Sequence, residues 1–441
     1  MTFRLCPHLR MQVMGFLLLF STLPVFAAGQ IQDQLTLQAQ DQLSLQDRAY
    51  IATRIYSSLS YFAQWQNVPQ LDLEKAYRAY LDKALASPDR IAFAHASMEF
   101  LAGFHNGHTV FVDMPLVQKG GPAPFVAELV DGNWVVTQSS SPGINPGDVI
   151  ERIDDRDFGD FVGETMHLVS SSTVAGGQHA LFGRMLGFAP YAHLFPREFT
   201  LTLAGNRKVK VDCNTLQPAP PLAVEGRWLK EGKVAYIRIP SFMAPDLENR
   251  AIELAREYKQ AEVLIIDVRG NLGGRSPGEL TAFLMDRPYP HWAESIPVEV
   301  PYFRMRAEQG HEDYQPFVHG NLAWAGGQQQ PAKDHFLGNL ILLVDSGCAS
   351  ACEDFTMPFK VNHRAQLIGE TTAGSSGQPL QLDLGQGMMV IVSAKRLSFP
   401  DGSPFEGVGI KPDIEVHPTI ESLRSGHDLI LEKALEMAAK P

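Results

Sequence analysis

The 441-residue sequence has only four cysteines and no run of consecutive Lys or Arg long enough to form a basic patch. Its formal charge of −12 excludes the electropositive footprint that nucleic-acid partners require. It contains no HExxH, and no Cys/His cluster has metal-ligand spacing, so zinc hydrolysis is not indicated. The phosphate-loop pattern GxxxxGK[ST] is missing too. Past the first thirty residues no apolar run reaches membrane-spanning length. Internal repeats and low-complexity segments are also absent. With 45% hydrophobic and 20% charged residues, the chain has the composition of a globular protein of several domains.

The first residues depart from this composition. Arg4 and Arg10 precede an apolar core from Val13 to Phe26, followed by small residues around Ala27 and Ala28. This is the pattern of a secretory signal peptide over 1–28, and it predicts a periplasmic or secreted mature chain without a membrane span. Cleavage removes Cys6 and leaves Cys213, Cys348 and Cys352, an odd set that forms no disulfide framework. Cys348 and Cys352 are close enough to bridge on one helix. Burial as small packing thiols is the expectation.

Residues 29–113 read as helical: IATRIYSSLSYFAQW, LEKAYRAYLDKALASP and FAHASMEFLAGF repeat apolar residues at three and four. The pattern stops at Gly103, before HNGHT. Residues 114–213 alternate like strands, with hairpin signals at Asp131-Gly132 and Gly205-Asn206. The Pro-rich stretch 214–224 is the best boundary, and 225–441 reads as β/α. There KVAYIRIP, VLIIDVRG, LILLVD, AQLIG and MMVIVSAKRLSF are expected strands of one layer. Ser276, Pro277 and Glu279 suggest a capped helix start, and HDLILEKALEMAAK suggests a closing amphipathic helix. Residues 288–336 form a long insertion with little periodicity, either a lip over a site or a loop.

Four stretches could carry chemistry. In SGCASACEDF, Ser350 stands where a buried strand turns into a helix, whose first N–H groups can hold an oxyanion. The competing reading makes Ser350 an ordinary helix cap. VLIIDVRGNLGG offers backbone N–H groups at Gly273 and Gly274. HNGHT supplies His105 and His108 in a turn, and FPDGSPFEGVGIKPDIEV places Glu406 in a Gly/Pro-rich loop.

In this order these stretches, with GINPGDVIERID and GETTAGSSGQP, resemble the tail-specific or C-terminal-processing serine peptidases, and more closely the branch of the tricorn core protease. The resemblance implies an α/β multidomain fold. Its parts are an N-terminal helical region ending in GHT, a PDZ-like mainly β insertion over 114–213, and a ClpP/crotonase-like α/β catalytic core over 225–441. It assigns Ser350 as nucleophile, His108 as base and Glu406 as supporting carboxylate, with the N–H groups of Gly274 and Ala351 as oxyanion hole. It implies polypeptide or peptide substrates and no metal or organic cofactor. Where lysine-based relatives carry GKG this chain has Ser375, which removes a Ser/Lys dyad. Tricorn-type sites carry a serine just before the histidine, where this chain has Gly107. The GGPAPF stretch is a poor match to a carboxylate-binding loop. Two other functions fit the same scaffold: a non-catalytic peptide binder, and a hydrolase using Cys348 or Cys352.

Overall fold

The computed structural model describes residues 42–62, 68, 70–119, 124–182, 190–215, 221–299, 301–317, 319–324 and 327–439. The expected signal peptide, most of GGPAPF and the middle of the Pro-rich stretch lie outside the described residues.

Among the described residues three helices come first: Leu45–Phe62, Leu73–Ala86 and Arg90–Ala102. Asp72 and Asp89 cap the second and third by accepting from Lys75 N and Ala92 N, which satisfies N–H groups that a helix start leaves unpaired. The third helix ends at Gly103, and the turn at 105–109 leads into strand Val110–Asp113. That strand pairs antiparallel with Met388–Val392, which also pairs with Leu380–Gly385. The segment MMVIV is therefore not part of the main α/β sheet, as its apolar run suggests. It folds back to complete a small sheet whose core is shared with the N-terminal helices. Hydrophobicity marks a buried strand but not its sheet.

The two hairpin signals hold. Phe125–Val130 pairs with Asn133–Ser139, and Glu198–Leu203 with Arg207–Asp212. Asp131 and Gly132 take φ of 52° and 75°, and Gly205 and Asn206 take 77° and 59°. Positive φ at both central residues is the geometry of a type I′ turn.

The central sheet has six strands in the order Ile414–Glu415, Ala365–Gly369, Asn339–Val344, Val263–Asp267, Val234–Arg238 and Glu225–Lys230. All neighbours are parallel except the last pair. Val263–Asp267 is buried at every position, as a strand covered on both faces must be. Leu264 and Ile266 face one core with Leu254, Leu280, Phe283, Phe355 and Phe359 from helices Pro245–Glu257, Gly278–Leu284 and Ala351–Val361. Val263 and Ile265 face the other, closed by Ile430 and Ala434 of the expected C-terminal helix Leu429–Ala438.

Two local expectations change. Helix Gly278–Leu284 is not capped by Ser276, whose hydroxyl donates instead to Asp354. The Glu248 carboxylate accepts from Glu279 N and Leu280 N, so the cap comes from another helix. The 288–336 insertion is more than a loop. It contains strand Ala293–Glu299, paired with His319–Trp324 and Arg396–Ser398, and helix Pro301–Glu308.

Candidate active site

The site lies beyond the carboxyl ends of two adjacent parallel strands, the general position for ligands in open α/β sheets. Strand Val263–Asp267 runs into the glycine loop. Arg269 anchors that loop by hydrogen bonds to Asp267 and to Asp428 of the C-terminal segment. Strand Asn339–Val344 runs into the turn that carries Ser350.

Ser350 stands immediately before helix Ala351–Val361 with φ 57° and ψ −123°. An ordinary helix cap is extended, and a non-glycine residue in this region costs about 1–3 kcal/mol, so the surroundings must hold it. They do so in several ways. Ser350 N donates to Ser375 O at 2.8 Å and to Glu353 Oε2 at 3.2 Å. Ala349 N donates to Asn271 O at 3.1 Å. Cys348 and Cys352 form a disulfide that spans the serine. This corrects the expectation of packing thiols: the turn brings the two residues to a Cα separation of 5.4 Å, within the range for a bond. Cys213 is a buried free thiol. The helix runs on through Pro358 to Val361.

Gly273 and Gly274 meet this turn. Gly273 has φ of 90°, and a Cβ there would lie 2.8 Å from both Ser350 Cβ and Ala351 N. Only glycine lets the loop approach so closely. Gly274, at φ 134°, sits against the Phe242 backbone, where a Cβ would fall 2.4 Å from Phe242 C. The flanking residues use the bridge bonds, Phe242 N to Gly273 O and Arg275 N to Phe242 O. Ala351 N opens the helix, where an N–H has no intrahelical acceptor.

Ser350, His108 and Gly274 line one cavity of about 110 Å³, together with Ser375, Leu272 and Ile391. His108 is set by its own turn: its N–H donates to Asn106 Oδ1 at 2.8 Å. Its ring Nδ1 is 2.8 Å from Ser375 Oγ. Burial pushes the imidazole down to about 4. Glu406 lies behind it, 7% exposed, accepting from Asn106 Nδ2 at 3.0 Å and from Ser172 Oγ. Burial outweighs these donors and pushes the carboxyl up to about 8. Among the described residues no hydrogen bond joins His108 directly to Ser350 or to Glu406. His105 does not line this cavity.

Asn106, Ser172, Glu353 and Ser375 were not legible as site residues. Asn106 is the middle of HNGHT, and its amide joins the histidine turn to Glu406. Glu353 is fully buried. It accepts from Thr372 Oγ1, Gly374 N, Ser375 N and Ser350 N, and burial pushes it up to about 8. Its only sequence signal is its place three residues after Ser350.

Residues 233–416 match the profile of peptidase family S41. The match holds Ser350, Ala351, Gly274 and Glu406, and excludes His108. Among curated proteins, the "Probable CtpA-like serine protease" of Staphylococcus epidermidis is 26% identical over 196 residues, 44% of this chain and 36% of that one. The chloroplastic carboxyl-terminal-processing peptidase 2 of Arabidopsis thaliana is 25% identical over 390 residues, covering 85% and 67%. The matched stretch thus spans little more than a third of the staphylococcal relative. Mature CPAF superimposes with a TM-score of 0.66 at 15% identity, covering 92% of this chain and 97% of that one. The photosystem II D1 C-terminal processing protease does so with 0.52 at 17%, covering 87% and 98%. These likenesses establish a mixed α/β fold of the kind seen in those proteases. Residues 233–416, which carry the Ser350 turn and its glycine loop, are thus similar to peptidase family S41.

Proposed function

We propose that the chain is a serine peptidase that hydrolyses polypeptides with Ser350 as nucleophile, His108 as base and Glu406 as the supporting carboxylate, as in the tricorn-like branch. The observation that carries this reading is the conformation of Ser350. A serine held at φ 57° at the head of a helix, in one cavity with a histidine, has the strained strand-to-helix geometry of a nucleophile elbow. Ser375 at the position of the family lysine leaves His108 as the titratable base in that cavity.

In this mechanism His108 takes the proton of Ser350 Oγ as the oxygen attacks the scissile carbonyl. The developing oxyanion rests on the N–H groups of Ala351 and Gly274. The imidazolium, stabilised by the Glu406 carboxylate, returns its proton to the leaving amine, and water releases the acyl-enzyme by the same route. A cavity of about 110 Å³ holds a few waters or one side chain, not an extended peptide. Its wall includes Ser170 to Ser172, Gly176, Ala180 and Tyr191. Those residues belong to the stretch read as a PDZ-like module over 114–213. Residues 1–28 would export the chain to the periplasm or beyond.

The test is serine-directed phosphonate labelling of signal-free protein beside thiol alkylation. Labelling that maps to Ser350 and abolishes peptide hydrolysis is expected. Loss of activity on thiol alkylation alone would favour a cysteine hydrolase. No hydrolysis and no labelling would favour a binding protein.

A further inference from the structure

Away from Ser350, a cavity of about 580 Å³ lies between the N-terminal helices and residues 156–194. Three histidines from three separate elements line it. They are His95 of helix Arg90–Ala102, His167 at the end of helix Phe158–Met166, and His193 of the short turn Ala192–Leu194. His95 Nε2 and both ring nitrogens of His193 are buried and make no hydrogen bond. We propose that His95 and His193 together bind a divalent transition-metal ion of the zinc class, at a site separate from the Ser350 cavity.

Buried polar atoms are almost always paired, so three orphan imidazole nitrogens in one place require an occupant. The two rings stand with centroids 5.5 Å apart and planes inclined by 31°. Two imidazoles that share one tetrahedral ion, with metal–nitrogen bonds of about 2.0–2.1 Å, place their centroids about 5 Å apart. The observed separation therefore fits one ion held by both rings. Burial first, and a neighbouring histidine second, lowers both rings, His193 to about 4; the Pro190 carbonyl opposes this only in part. Both are neutral at pH 7, the form in which histidine ligates metals.

The rest of the cavity narrows the choice of ion. Its carboxylates are already engaged: Glu99 pairs with Lys83 at 2.8 Å, and Glu164 pairs with Arg156. Imidazole nitrogen is then the donor on offer, which suits Zn²⁺, Cu²⁺ or Ni²⁺ and not the oxygen-seeking Ca²⁺ or Mg²⁺. Among the described residues no three His, Cys, Asp or Glu side chains already stand ready to hold one ion. The site is therefore a two-imidazole one whose remaining positions are open to water, with His167 on the same wall. Its histidines come from elements far apart in sequence, so ligand spacing does not announce it.

An ion held there would join two segments that reach the Ser350 cavity. Helix Arg90–Ala102, which carries His95, leads directly into the turn that holds His108. His193 stands two residues after Tyr191, which lines the cavity with Ser350 and whose hydroxyl accepts from Ser170 N at 3.0 Å. Metal binding thus ties the helix before His108 to a wall of the same cavity, and it takes no ligand from that cavity. The site stands whether or not the chain is a peptidase.

The experiment titrates Zn²⁺ into the metal-free, signal-free full chain by calorimetry, with Mg²⁺ as control, and follows Tm in parallel. One tightly bound Zn²⁺ per chain is expected, and Mg²⁺ should not bind. Zn²⁺ at about a hundredfold over Kd should raise Tm by about 2–5 °C. X-ray absorption at the zinc edge should report two imidazole ligands. His95→Leu and His193→Leu each remove an unpaired buried nitrogen, so the metal-free Tm should hold or rise. In both variants Zn²⁺ affinity should fall at least tenfold and the Zn²⁺-induced rise in Tm should vanish. His108→Gln and His417→Gln alter the active-site histidine and an exposed histidine beside Glu370 and Glu415, and both should bind Zn²⁺ as wild type does. The proposal is overturned if metal-free wild type binds no Zn²⁺, or if folded His95→Leu and His193→Leu bind it with wild-type affinity. Loss of binding in His108→Gln or His417→Gln alone places the ion elsewhere and overturns it as well. Binding is read without turnover, so the outcome is independent of the peptidase reading.

Discussion

Replacing both Cys348 and Cys352 with alanine should affect activity far more than stability. The disulfide closes a loop of only about five residues, for which the chain-entropy relation gives about 2 kcal/mol. In a chain of this size that is a fall in Tm of about 4–8 °C or less. The same bond spans Ser350, whose positive φ costs about 1–3 kcal/mol and must be held by its neighbours. The bonds from Ser350 N to Ser375 O and Glu353 remain in the variant, so the turn is not released completely. If the full ~2 kcal/mol serves to hold the turn, the competent fraction falls by at most about thirtyfold, since 1.4 kcal/mol is a factor of ten. The assay measures kcat/KM and Tm for wild type, wild type after a phosphine reductant, and Cys348→Ala/Cys352→Ala. Denatured protein lacking residues 1–28 should titrate one thiol, from Cys213, rather than three. Three thiols in protein isolated under oxidising conditions, or a cysteine-free variant with unchanged Tm and kcat/KM, would refute the clamp.

The buried carboxylates govern the response to pH. Glu353 and Glu406 are held at about 8 in the fold against an ordinary 4.5, so their contribution is fully present below pH 4.5 and lost as pH rises through 8. His108, lowered to about 4, opposes this only between about 4 and 6.5. Tm should therefore fall from pH 6.5 to 8, and Glu353→Gln should flatten that slope; a wild-type Tm that rises over this window contradicts the assignment. For turnover, His108 is already neutral above about pH 4, so kcat/KM should climb as Glu406 ionises towards pH 8. Glu406→Gln should lower the rate and remove that climb, which a pH–rate profile will show. Gly273→Ala forces a Cβ to within 2.6 Å of Ala349 O and 2.8 Å of Ala351 N at φ 90°. It should cost about two orders of magnitude in kcat, comparable with losing an oxyanion donor; near-normal kcat would mean the glycine loop does not face the reacting carbonyl.

What the sequence revealed and what it hid follow one physical division. Periodicity and turn chemistry are local, so the N-terminal helices, both hairpins and the buried strands Val263–Asp267 and Asn339–Val344 were legible. Met388–Val392 was misplaced because an apolar run says that a strand is buried, not which strand it pairs with. Ser276 failed as a cap because Glu248, from another helix, took the role. Ser350, Gly274 and Glu406 stand in glycine-marked turns that motifs can flag. Ser375, Asn106, Ser172 and Glu353 act through contacts that exist only after three loops meet, and a serine or asparagine in a loop carries no mark of such a role. The disulfide was hidden for a related reason. Spacing of four permits a bond on a regular helix, but here Cys348 lies before the helix and only the strained turn brings the sulfurs together.

The most direct measurement is the turnover of an unfolded polypeptide by signal-free Ser350→Ala against wild type, with folding verified by Tm. Loss of a hydroxyl at a helix head costs about 1 kcal/mol, so the variant should stay folded. With Ser350 as nucleophile, kcat should fall by about three orders of magnitude or more, and adding His108→Ala should lower it little further because the two act as one unit. Wild-type turnover by a folded Ser350→Ala variant would contradict the account.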